Sequence, residues 1–376
     1  MNQVAVVHTG AITAMGDDLE ALWQGLLDRE SAITTATRFA TDNYISSCAA
    51  LINDLVPDSK KAMVFQLADR VMEQLPPLPR DTLVLTASTK GGIDVLETAR
   101  RGTETSKEQL IISSLPGYIA RRLGLAHQGI NISAACTSST IALAKAAAFI
   151  ASGRASSVLV CAVDIISEFV FSGFSALKAM SSTPARPFDS KRDGLTLGDG
   201  AAALVLFSEE KMKKEGIEEK ALITGWGIAN DATHITAPAR NGCGLKRAVS
   251  HALAMAGIPP DRIGAVSTHG TGTVYNDAME LTALHSLFGG QGPAAGSVKG
   301  AIGHTLGACG GIEAALGIRM LDHQVVPGTP GFTSPETGAG SMISSRHQPF
   351  DSDHLLTTNS GFGGINGALV LQKRRR

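Results

Sequence analysis

The chain has 376 residues, 44% hydrophobic and 18% charged, with a formal net charge of -1. That length accommodates two ordinary domains or two fused halves of one large core. The near-neutral balance gives no sign of a nucleic-acid partner, which needs a basic face or stripe, and Gly, Ser or charge cuts every apolar run well short of a membrane span.

Cys48, Cys136, Cys161, Cys243 and Cys309 make an odd number with no pair at metal-ligand spacing. No disulfide framework and no metal site are therefore expected, and a reducing cytoplasm is the expected location. Met1-Asn2-Gln3-Val4 does not open a charged-then-apolar leader, so no signal peptide is expected. The closing run Lys373–Arg376 reads as a solvated tail.

In chain order, the apolar pattern predicts a strand at Val4–His8 and helices at Asp18–Asp28 and Met63–Gln74. Strands follow at Thr82–Ala87 and Gly129–Ala134, then a helix at Ser138–Ser152. Further strands are predicted at Ser157–Val163, Ala201–Phe207 and Ala221–Ile228, with a helix at Cys243–Ala256. The last elements are a strand at Ala265–His269, helices at Asn276–Phe288 and Thr305–Leu321, and strands at His354–Thr358 and Ala368–Gln372. Brevity, β-branched content and turn-forming flanks mark the strands. With 41 Gly and only 5% aromatic residues, helices can pack closely inside a layered α/β protein.

Two segments, Ile132–Ser152 around Cys136 and Ser297–Leu321 around His304, share one plan: strand, small-residue loop, Ala-rich helix. The repetition predicts an internally duplicated fold, residues 1–215 carrying the cysteine and residues 216–376 carrying two histidines. The charge cluster Glu209–Glu219 marks the join and reads as a solvated helix or connector.

Cys136 stands where a strand gives way to a helix. There, unpaired N–H groups and the helix dipole favour the thiolate, the reactive form. His269 opens His-Gly-Thr-Gly-Thr (269–273), whose glycines permit close approach of a ligand and whose Thr271 and Thr273 offer hydroxyls. His304 is expected near a helix start, where a neutral imidazole suits an oxyanion. Lys299, in the same loop, could pair with Glu313, Asp277 or Glu280. The Gly-rich loop 359–367 has no following helix and no Lys, so it is no phosphate loop; it is a plain hairpin, or one turning its N–H groups into a site.

These pieces, in this order, resemble the β-ketoacyl-acyl-carrier-protein synthases of the thiolase superfamily. The likeness covers nearly the whole chain. It runs through Thr9–Gly16, Gly91-Gly92, Ala135–Ser139, Phe174–Leu177, Arg186–Asp189, Arg192–Gly194, Asp231–Thr236, His269–Thr273, Lys299, Gly303-His304 and Gly361–Gly364. It implies a five-layer αβαβα fold of two pseudo-duplicated halves, a homodimer, and no organic cofactor or metal. Cys136 would take an acyl group from acyl carrier protein or coenzyme A. A malonyl thioester would then lose carbon dioxide, and its enolate would attack the acyl group. By the same likeness, His269 and His304 support decarboxylation and hold the enolate oxygen, and the N–H groups of Cys136 and Phe362 form the oxyanion hole. Lys299 with Glu313 holds the histidine network, with Asp277 and Glu280 as supporting acids. Thr271 and Thr273 bind pantetheine; Phe174, Phe362, Leu96 and Ser360 belong to the acyl pocket and gate; Lys178 and Lys60 meet the carrier protein.

The chain departs from the family pattern at Ser360, where a first Phe is usual, at Val274 for a Pro and at Asp199 for a Glu. Thr34–Asp81 is also shorter than usual. These changes point to a specialised acyl or polyketide pathway. Two rivals are a chain-length-factor-like accessory subunit, which usually lacks the cysteine, and a thiolase-type coenzyme A enzyme using Cys309 as its second cysteine.

Overall fold

The computed structural model describes residues 2–102, 107–289, 292–340 and 342–374; Met1 and the last two residues of the closing basic run, Arg375 and Arg376, lie outside the described residues. The first half runs β1 (Val4–Thr13), α1 (Leu19–Leu27), α2 (Met63–Met72), β2 (Leu83–Ala87), α3 (Ile93–Arg100) and α4 (Ser114–Arg122). It continues β3 (Ile130–Ile132), α5 (Ser138–Ala151), β4 (Ser157–Asp164), α6 (Glu168–Ala176), β5 (Gly200–Ser208) and α7 (Glu209–Glu215). The second half runs β6 (Ala221–Asn230), α8 (Cys243–Ala256), β7 (Ile263–Ser267), α9 (Val274–Phe288) and β8 (Ala294–Gly296). It ends α10 (Lys299–Ile302), α11 (Cys309–His323), β9 (His354–Gly361) and β10 (Ile365–Lys373).

These strands form one ten-stranded sheet in the order β8-β7-β9-β10-β6-β1-β5-β4-β2-β3. Read outward from the centre, both halves have the same topology: first strand, last, fourth, second, third. The directions match too. The first two pairings of each half are antiparallel and the outer two parallel. The halves meet through a short antiparallel pairing of Ala5 with Leu222 and Val6 with Ala221.

Strand residues alternate between two cores, as the period of two requires. In β4, Val158, Val160 and Ala162 face a central core shared with α5 and α11, while Leu159, Cys161 and Val163 face α2 and α4. A third core lies between the second half's strands and α8 and α9. Helices α5 and α11 touch each other and strands of both halves, which makes them the middle of five layers. Small residues permit this: a Cβ on Gly310 would lie 2.0 Å from Thr140 Oγ1 on the neighbouring helix.

All nine predicted strands are present. The predicted helix Thr305–Leu321 instead begins as a tight turn, Leu306–Ala308, with Leu306 at φ 51, before α11 starts at Cys309. Helix α7, in the predicted connector, buries none of its residues.

Candidate active site

The parallel strands of each half direct their C-terminal ends to one place, where loops deliver side chains to a shared crevice. From the first half comes Cys136, just past β3. Ala135 takes φ 49, and the Ser138 hydroxyl holds the turn, donating to the Ala135 carbonyl at 2.6 Å and accepting from Ala134 N–H at 2.8 Å. The chain then enters α5 two residues later. The cysteine is buried. Burial pushes the Cys136 thiol up to about 11, against the opposing pull of Lys299 and Lys90. The helix N-terminus, expected to favour the thiolate, is thus opposed by the removal of the sulfur from water, which favours the thiol.

From the second half come His269, just past β7, and His304, between α10 and the turn that precedes α11. Their rings meet edge to face, 5.2 Å between centroids. The Cys136 sulfur and a ring nitrogen of each histidine all lie within 4.8 Å of one another; the three are also donor types that a soft cation would take. Both imidazoles are buried, and burial, reinforced by Lys299, holds each well below its ordinary range. His304 stands five residues ahead of α11, so the helix start does not account for its neutrality; desolvation does. Among the described residues neither nitrogen of His304 has a hydrogen-bond partner, leaving both for a ligand.

Behind the histidines lies a fully buried polar network. Lys299 pairs with Glu313 and donates to the His269 carbonyl at 2.5 Å. Burial works against the Lys299 ammonium, but Glu313 and the neighbouring groups outweigh it and hold its pKa up. Asp277 and Glu280 do not reach Lys299; they hold the His-Gly-Thr-Gly-Thr loop. Glu280 accepts from His269 N–H (2.8 Å) and Gly270 N–H (2.6 Å), and burial together with Asp277 pushes its carboxyl up to about 8. Asp277 accepts from Thr271 N–H at 3.0 Å and Phe188 N–H at 2.8 Å. The Thr271 and Thr273 hydroxyls are 2.9 Å apart and line the cavity.

The segment 359–367 is a β hairpin whose backbone presses on the cysteine. A Cβ on Gly361 would lie 2.7 Å from Thr137 Oγ1 and 3.2 Å from Cys136 N. That closeness sets the Phe362 backbone beside the Cys136 sulfur, where it favours the thiolate. The Phe362 ring stacks on Phe174, 5.9 Å between centroids. Ser360 donates to Asn366 at 2.7 Å, making a polar stretch of wall.

One cavity of about 430 Å³ joins Cys136, His269, His304, Thr271, Thr273, Phe174, Ser360 and Phe362, with Lys178 also on its lining. Leu96 does not belong to it: it is 41% exposed on α3. Lys60 is exposed and lies outside it as well. Several residues escaped the sequence reading as parts of the site, three of them polar and set around the cysteine and histidines. Asp231 and Asn366 line the cavity, and Asn359 is buried against His269. Cys309 directs its sulfur to the Cys136 carbonyl (3.1 Å) and does not line the cavity.

Residues 80–212 match the N-terminal domain model of the β-ketoacyl synthases and residues 220–333 match their C-terminal domain model. The 3-oxoacyl-[acyl-carrier-protein] synthase 2 of Vibrio cholerae is 30% identical over 99% of both chains. Among solved structures, the ishigamide ketosynthase/chain length factor superposes with a TM-score of 0.91 at 26% identity over 100% of both chains. A β-ketoacyl synthase from Burkholderia phymatum STM815 superposes with a TM-score of 0.89, also at 26% identity over 100% of both chains.

Proposed function

The chain belongs to the β-ketoacyl synthase family, condensing acyltransferases of the thiolase-like fold, and we propose that Cys136 is its acylated nucleophile. The observation that carries this reading is the meeting of Cys136 with two neutral, buried histidines, one of them without a hydrogen-bond partner among the described residues. An acyl thioester enters past Thr271 and Thr273. The Cys136 sulfur adds to its carbonyl, the thiol proton passes to the departing carrier thiolate, and the acyl–Cys136 bond replaces the carrier bond. The Cys136 and Phe362 N–H groups receive the oxyanion.

A malonyl thioester then takes the vacated channel, its thioester oxygen facing His269 and His304. Neutral imidazoles donate to that oxygen as carbon dioxide leaves and enolate charge builds. The enolate carbon attacks the acyl carbonyl, a carbon–carbon bond forms, the carbon–sulfur bond to Cys136 breaks, and a β-ketoacyl thioester results. Lys299 with Glu313, Asp277 and Glu280 hold this set in place. Phe174, Phe362 and Ser360 shape the gate, and Lys178 and Lys60 serve carrier docking.

Acyl carrier protein is the proposed donor, by similarity to the Vibrio cholerae relative's named substrate. A cytoplasmic homodimer is the proposed form; the edge strand β3, with exposed Ile130, is a candidate seam. The halves join at residues 215 and 216, a division supported by their shared strand order. Retention of Cys136, His269 and His304 favours an active subunit over an accessory one, and the position of Cys309 outside the cavity disfavours a thiolase-type base. The test is product analysis with acyl- and malonyl-carrier thioesters. A β-ketoacyl product and carbon dioxide in equal amounts are expected; decarboxylation with no carbon–carbon bond formed would contradict the assignment.

A further inference from the structure

Asn359, in β9, has no exposed surface and stands where four buried groups converge. Its amide nitrogen lies 2.7 Å from Glu313 Oε2, 3.2 Å from His269 Nδ1 and 3.5 Å from the Cys309 sulfur, while its amide oxygen bonds the Thr140 hydroxyl. The orientation of this amide is fixed by its partners. Glu313, ion-paired with Lys299, is acceptor-only, so the NH₂ must face it. Turning the amide over would set its oxygen against a carboxylate. With one N–H on Glu313, the second faces His269 Nδ1 at 3.2 Å and the Cys309 sulfur at 3.5 Å; the imidazole nitrogen is the nearer and the stronger acceptor, and in accepting it offers a lone pair.

We infer that Asn359 is a positioning residue that sets the tautomer of His269, holding Nδ1 unprotonated so that the ring carries its proton on Nε2, toward the cavity. A neutral imidazole has one donor and one acceptor nitrogen, and the partner of one decides the role of the other. Because His269 is held neutral by burial, this choice is what makes it a donor to an oxygen in the cavity. The Lys299–Glu313 pair acts on the histidine through Asn359, since neither charged side chain hydrogen-bonds the ring itself, Lys299 reaching the His269 carbonyl and Glu313 the Asn359 amide. Among the described residues the His304 nitrogens have no hydrogen-bond partner and so no such device, and the two histidines differ in how firmly their protons are placed. The inference about the tautomer rests on geometry alone; its catalytic consequence rests on the function proposed above.

The test is nitrogen NMR of the full-length protein with ¹⁵N-labelled histidine, the His269 signals assigned by their loss in His269→Gln. Wild type should show a proton on Nε2 and a bare Nδ1 at neutral pH. Asn359→Asp replaces the donor by an acceptor and should draw the proton to Nδ1. A wild-type His269 protonated on Nδ1 overturns the inference, and that measurement needs no change at Asn359. An unchanged His269 spectrum in a folded Asn359→Asp protein overturns it as well. In the same variant, malonyl decarboxylation should fall by about 10²-fold, as when one oxyanion donor is lost, with acylation of Cys136 less affected. The tautomer shifting while both steps fall equally would leave Asn359 as assigned and count against the role given to His269.

Discussion

Lys299→Met removes the ammonium from a pair whose side chains are 1% and 2% exposed. Methionine preserves the length of the stem, so the main loss is charge. Glu313 would keep only the Asn359 N–H at 2.7 Å, and the His269 carbonyl would lose its donor at 2.5 Å. Breaking a buried pair by removing one partner costs about 3–5 kcal/mol, which is roughly two to four powers of ten in the folding equilibrium. Lys299→Met with Glu313→Leu removes both charges, leaving unsatisfied only the His269 carbonyl and one Asn359 N–H. The double variant should recover at least half of the stability lost by the single one. The assay is urea unfolding of wild type, both single variants and the double, read as a double-mutant cycle. A Lys299→Met loss within about 0.5 kcal/mol, the range of an ordinary surface substitution, would refute the reasoning. A double variant weaker than either single one would do so equally.

Burial raises the Cys136 thiol to about 11, so its thiolate fraction at neutral pH is small and grows as pH rises. Alkylation by iodoacetamide should therefore accelerate from about pH 7 to about pH 10, since the thiolate is the reacting form; a plateau near neutrality would contradict the raised value. His304→Ala should impair malonyl decarboxylation more than acyl transfer to Cys136, measured separately as carbon dioxide release and adduct formation; equal loss of both steps would argue against the division of labour. Arg192 donates to the carbonyls of Thr273 (3.2 Å), Val274 (2.9 Å) and Asp189 (2.9 Å), fixing the wall beside the Thr271 and Thr273 hydroxyls. Arg192→Met should raise the KM for carrier thioesters more than it lowers kcat, and a fall in kcat at constant KM would place its effect elsewhere.

The long strands were legible because each is an apolar run bounded by turn formers, and the period-two division of β4 between two cores accounts for that composition. The helices that escaped the reading carry helix-averse residues. Helix α4 has Pro116 and Gly117 in its first turn, where a missing N–H costs little because those donors have no helical partner anyway. Helix α6 is rich in Phe, with Val170 and Gly173, and starts on Ser167, whose side chain accepts from Val170 N–H. At the site, Cys136, His269 and His304 stood out because each follows a strand and precedes small residues. Asn359 did not: beside Ser360 and Gly361 it looked like turn chemistry, and only the fold brings Glu313 and His269 to it from distant positions. Charge states were the least legible feature. A helix N-terminus argued for a thiolate at Cys136, but sequence carries no measure of how completely the sulfur leaves water.

The central claim is tested most directly by the intact mass of the protein after incubation with acyl-carrier-protein thioesters of graded chain length, beside Cys136→Ala. Alanine is smaller than cysteine, so the variant should stay folded. The wild type is expected to gain one acyl group and the variant none, with condensation lost in the variant. An adduct or full condensing activity surviving in Cys136→Ala would contradict the account.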